Sequence, residues 1–147
     1  MTAGKVAHHR LRSRTWIIRL LVLAVFLSNL SAALPFLLAP GHFAPSFELE
    51  GEVGAVMVRS VGLLFLMWIV PYVPVILSPR RARPCLWVIL VQQLLGLGGE
   101  TWMWLMTEGH ATLRATGARF ILFDSAGLAL LIVALALGCA QSGRTGA

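Results

Sequence analysis

Glu100 and Asp124 are the two carboxyls on which chemistry would turn, because each stands inside a run of residues that is otherwise apolar. Glu100 closes the stretch V-Q-Q-L-L-G-L-G-G-E-T-W-M-W at 91–104, together with Gln92 and Gln93. An acidic residue at the centre of a membrane helix costs roughly 2.5–3.5 kcal/mol on insertion scales, so it is expected to face a protein interior, water or a partner. The other three apolar segments each carry one awkward polar residue, Asn29, Arg59 and Asp124. Arg59 keeps its proton and in a low-dielectric layer needs a carboxylate. One acid would neutralise it, and the second would have to be protonated, hydrogen-bonded, wet or paired with Arg119. Gln93, Gly96 and Glu100 fall at i, i+3 and i+7, one face of a helix, with Trp104 one turn further on. Such a cluster suits a proton relay or a general acid. It equally suits a structural pairing that fixes helix register.

The surrounding chain must supply helices to hold these residues. Of 147 residues, 58% are hydrophobic and 12% charged, far below the roughly 25% charged residues of a soluble domain. Lipid is therefore the expected solvent. Four segments, 16–38, 53–77, 85–106 and 118–140, are each long enough for the roughly 20 residues of one crossing. They predict an all-α integral membrane four-helix bundle, between a basic tail at 1–15 and a small polar tail at 141–147. A cleaved signal peptide ending near Ser31-Ala32-Ala33 competes for the first segment, but the apolar run continues past that point.

The longest connection, 39–52, is broken by prolines and a glycine and ends on Glu48, Glu50 and Glu52, where a following helix start favours negative charge. Pro71 and Pro74 should kink or open the end of the second span. The short basic loop S-P-R-R-A-R-P makes spans two and three antiparallel neighbours. Gly96, Gly98 and Gly99 on the third span, with Gly127, Ala134 and Gly138 on the fourth, would permit close helix approach.

The net charge of +6 comes from basic residues beside apolar segments, a topogenic pattern, so nucleic acid is not an expected partner. Lys5, Arg10, Arg12, Arg14, Arg80, Arg81, Arg83 and Arg144 fall on the side of the termini, against Arg114 and Arg119 opposite, which places both termini in the cytoplasm of a bacterial-type inner membrane. Counting inward from the predicted span ends at 1.5 Å per residue puts Arg59, Glu100 and Asp124 in one layer roughly 9 Å below the outer surface, with Asn29 slightly deeper.

Several chemistries lack their residues. Gly-Leu-Gly-Gly follows no strand and is not a nucleotide fingerprint. Cys85 and Cys139 form no C-x-x-C, which argues against disulfide exchange or zinc. His8, His9, His42 and His110 all lie outside the spans, so haem has no bundle ligands, and no calcium loop is present.

The segments V-R-S-V-G-L-L-F-L at 58–66, S-P-R-R-A-R-P at 78–84 and F-D-S-A-G-L-A-L-L at 123–131 resemble the DoxX-like group of small bacterial four-helix membrane proteins over about half of the chain. The resemblance implies a four-helix bundle and, as in some members, association with sulfur or quinone redox systems. Gln92, Gln93 and Glu100 match no motif of the group, so no functional residue carries over.

The function expected from these residues is a binding or accessory subunit. Its polar cluster of Asn29, Arg59, Gln93, Glu100, Trp104 and Asp124 would hold a quinone, lipid or other small amphiphile in the outer third of the membrane. A larger membrane complex or a homo-oligomer is the expected assembly. The alternatives are a membrane-embedded enzyme using Glu100 or Asp124 as acid or base, and an oligomeric transporter or channel. No particular cofactor is implied.

Overall fold

The computed structural model describes residues 3–142, and their side chains from Arg12 to Cys139. Among these residues every regular element is helical: α1 (Ala3–Leu38), α2 (Pro40–Phe43), α3 (Gly51–Ile69), α4 (Tyr72–Leu77), α5 (Arg83–Met106) and α6 (Ala111–Ser142), with one 3-10 turn at Ala44–Phe47. Three segments are long and apolar enough to cross a membrane: Arg12–Leu38, Gly51–Leu77 and Ala111–Cys139. Only 17–28% of each is buried within the chain. The uncovered remainder includes Leu38, Val53 and Leu122, all more than 70% exposed, a surface suited to hydrocarbon rather than water. α5 has 24 residues and the same order of length, but its two glutamines and its glutamate lower its mean hydropathy.

α1 is the centre of the assembly. It packs against α3 on one side, α6 on another and α4 at its start, while α5 lies along α6 and touches α4. α3 and α5 have no extended seam between them. The helical ladder of α1 already runs through the segment read as a basic tail, from Ala3. Of the polar tail expected at 141–147, positions 143–147 lie outside the described residues.

The proline pair breaks the second span as its chemistry requires. Pro71 has no N–H to give to Met67, so Val70 N–H closes a tighter turn on Met67 O at 3.3 Å and the chain restarts as α4. Arg19 then caps the end of α4, donating from Nη2 to Leu77 O at 2.7 Å, with its guanidinium 5.2 Å from the Trp16 ring.

The last helix begins seven residues earlier than the sequence suggests, at Ala111 rather than 118. Its first turn is held from a distance: Glu48 Oε1 accepts the Leu113 N–H at 3.1 Å and Oε2 meets His110 Nδ1 at 2.5 Å. The glutamates were expected to serve the start of the helix that follows them. Glu50 and Glu52 do stand at the N-cap and in the first turn of α3, whereas in Glu48 the same preference of a helix N-terminus for negative charge operates on α6. Hydrogen bonding from His110, then from the Leu113 N–H, holds the Glu48 carboxyl below its ordinary range.

The interior divides along the helix axes. Call lower the end with the 78–82 turn and upper the end with the 39–50 connection. The lower half is an aliphatic core of Ile18, Val22, Val25, Ile89 and Leu131 with Tyr72, Val75 and Ala134. The upper half is aromatic: Phe36 meets Phe43, Phe47, Phe65 and Phe120 edge to face at centroid distances of 5.1–6.4 Å.

Candidate functional site

Polar side chains occupy the boundary between these halves. Gln93, 1% exposed on α5, donates from Nε2 to Asp124 Oδ1 at 2.9 Å and to Asp124 O at 3.2 Å, and its Oε1 accepts the Tyr72 hydroxyl at 3.3 Å. One amide thus ties α4, α5 and α6 together. Of the glycines expected to bring the third and fourth spans together, two do so at this amide. A Cβ on Gly96 would lie 2.9 Å from Asp124 Oδ2, and one on Gly127 would lie 3.0 Å from Gln93 Nε2, whereas Gly98 and Gly99 face open space. Asn29, 1% exposed, turns its amide onto its own helix at Val25 O, 2.9 Å away.

Above this layer is a cleft of about 450 Å³ lined by α3, α5, α6 and the 3-10 turn. Its walls are Phe47, Val61, Phe65, Trp104 and Phe120, and Glu100 lies among them. It communicates with the exterior of the helices through Trp102, Met103 and Met106, which are 53–64% exposed. A smaller recess of about 150 Å³ continues inward past Val61, Phe65 and Glu100 to Trp68, Gly96, Asn29 and Asp124. α5 and α6 run in opposite directions and Cα–Cβ bonds lean toward each helix's own N-terminus. Glu100 therefore leans downward and Asp124 upward, so that the two carboxyls converge on one recess.

Glu100 makes no hydrogen bond or ion pair among the described residues, where the only ion pair is Glu48 with His110. The two hydroxyls in the cleft are committed to main-chain carbonyls, Thr107 to Met103 O at 2.6 Å and Thr116 to Ser46 O at 2.7 Å. Neither is poised as a nucleophile beside Glu100.

The structure gathers Asn29, Gln93, Glu100 and Asp124 around the recess, with Trp104 higher in the cleft, but it leaves Arg59 out. α3 turns Gly54, Val58 and Gly62 inward at i, i+4 and i+8, and Arg59, about 100° round from Val58, is exposed on the outside. It is also at the wrong height. Gly62 abuts Ala33, Phe36 and Leu37, whereas Asn29 shares its recess with Trp68, nine residues further along α3 than Arg59, roughly 14 Å. The expected single layer fails for Asp124 too. It lies thirteen residues into α6, about 20 Å along that helix, and opposite Gly96, about one turn below Glu100 rather than level with it. Arg119 supplies no counter-charge: it is exposed on the far side of α6, beside Phe36 and Phe123.

Two contributors had no local signature. Tyr72, the sole tyrosine, is wholly buried. Its position between Pro71 and Pro74 marked it as part of a broken helix end rather than as a partner for Gln93. Trp68 forms the floor, with its Cζ2 3.4 Å from a Cβ placed on Gly96. Seven residues without a polar side chain separate it from Ser60, the nearest polar residue that precedes it, so nothing local distinguished it from a lipid anchor.

What the fold defines is a small all-helical chain with three helices apolar enough to span a membrane and a half-open cleft holding an unpaired carboxyl. Comparison with family models, with curated proteins and with solved structures finds no match to any of them.

Proposed function

We propose that the chain is a four-span, DoxX-like inner-membrane bundle with both termini in the cytoplasm, and that it binds a small bilayer-soluble amphiphile as a binding or accessory subunit. α5 serves as the fourth span: it matches the others in length, lies along α6, and turns its polar Gln93 and Glu100 toward the recess instead of outward. The basic residues near the 78–84 turn and the N-terminus favour the cytoplasm for the lower end. The cleft then opens sideways into the outer leaflet.

The observation that carries this reading is the cleft itself. Its 450 Å³ lies within the roughly 300–1,000 Å³ of small-molecule sites, and it combines apolar walls with few polar groups. Its carboxyl makes no hydrogen bond or ion pair among the described residues. The test is mass spectrometry of the chain extracted in mild detergent, beside a Val61→Trp variant that fills the cleft. About one equivalent of a lipophilic molecule should copurify with the native chain and be absent from the variant. Native chain that emerges empty, or equal occupancy in both, overturns the proposal. Proteins that copurify under the same conditions would identify the accessory partner.

A further inference from the structure

We infer that the amphiphile taken by this cleft is a cation, a lipophilic molecule with a protonated or quaternary amine as its head. The inference rests on the binding role proposed above and deepens it by fixing the sign of the ligand's charge.

Two acidic side chains reach the cleft and its recess, Glu100 and Asp124, and among the described residues no Lys, Arg or His lines either. Arg59 is on the outside of α3 and Arg119 on the far side of α6. The nearest basic group, Arg114, is held at the rim, its guanidinium 4.3 Å from the Trp104 ring centroid and its Nη1 3.5 Å from Thr107 O. Asp124 already accepts from Gln93, whereas Glu100 accepts from no donor among the described residues. A carboxylate removed from water requires a positive partner, and this chain offers none inside the cleft, so the occupant has to bring it.

The walls favour the same sign. Phe65, Phe120 and Trp102 line the same cleft as Glu100, and the faces of aromatic rings attract cations, most strongly where water is excluded. A divalent metal is a poor fit, since calcium takes six to eight oxygen ligands and magnesium an octahedron, while this site offers two carboxyls in an apolar cleft. An anionic headgroup would meet two acids and no base. Of the amide and hydroxyl donors a neutral carbonyl ligand would use, those of Asn29, Gln93, Thr107 and Thr116 each already serve another acceptor.

The experiment uses two probes of equal size and opposite charge, tetraphenylphosphonium and tetraphenylborate, added to the full chain in nanodiscs of zwitterionic lipid. Tetraphenylphosphonium should bind saturably, near one per chain and at least about tenfold tighter than tetraphenylborate, and Glu100→Gln should weaken it by about tenfold or more, as expected for loss of a charged partner. Asp124→Asn should weaken it less. Should Glu100→Gln not fold, Phe65→Leu decides, with a several-fold loss for the cation and none for the anion.

Equal or tighter binding of tetraphenylborate, or cation binding indifferent to Glu100 and Phe65, overturns the inference. If Val61→Trp still abolishes copurification in that case, the binding role stands and only the sign of the charge is wrong. If neither probe binds and Val61→Trp changes nothing, both fall.

Discussion

The lower and upper halves of these helices fill their interiors with different side chains. Below Gln93, Val22, Ile89 and Leu131 are fully buried and interlock with Val75 and Ala134. Above it, five phenylalanine rings meet largely edge to face around Phe36 and leave a cleft of about 450 Å³ beside them. Branched aliphatic chains interdigitate to near-crystalline density, whereas rings crossing at 60–76° touch along their edges and leave room at their faces. One half secures the fold, and the other has the space and the unpaired carboxyl on which the proposed binding role rests.

The contrast can be broken most directly by truncation. Leu131→Ala in the lower core should cost about 2–5 kcal/mol of stability, and Phe120→Ala, at the cleft, distinctly less. Unfolding in mixed detergent micelles measures both, and equal losses would erase the distinction. Next in size is Gly62→Ala. Its new Cβ would stand 3.0 Å from Ala33 O, a main-chain atom that cannot turn aside, so α1 and α3 must separate at about 1–3 kcal/mol. Gly98→Ala, where the space is open, should instead be neutral or mildly stabilising.

Gln93→Leu tests the boundary. It removes the bonds to Asp124 and Tyr72 and should cost about 1 kcal/mol, the range found for polar contacts between membrane helices. Glu100→Gln should leave stability within about 0.5 kcal/mol while emptying the cleft. A large loss of folded protein in that variant would turn Glu100 into a structural residue.

The smallest effect belongs to the strap between Glu48 and α6. Its carboxyl is held below the ordinary range, so the contact contributes fully at neutral pH and is lost as pH falls through that lowered value. Relative to the intrinsic exchange rate at each pH, protection of the Leu113 amide should therefore fall several-fold in acid and in Glu48→Gln, with the lower core unchanged. An equal fall at Ile89 would show that the two halves open together.

Composition and run length made the helical class and the apolar spans readable, since both depend on sums over many residues. The shared face of Gln93, Gly96 and Glu100 was readable because helical spacing is local. Arg59 shows where such reading stops: hydropathy says that a charge lies in a span, but only the packing of Val58 and Gly62 against α1 says which way it turns. Depth failed at Asp124 for a related reason, because the start of α6 is held by Glu48, more than sixty positions earlier in the chain. The partnership of Tyr72 with Gln93 likewise depends on how far the proline break swings α4 toward α5.

That break has a mechanical consequence. With the N–H ladder interrupted at Pro71, the second span is two rods on a swivel, the shorter one anchored through Arg19 and Tyr72 and the longer one leaning on α1 and on the turns at 40–47. Under the binding role proposed above, a guest broader than the resting gap would be admitted by a swing of the long rod away from α5, a movement that disturbs aromatic edges and spares the aliphatic base on which the molecule stands.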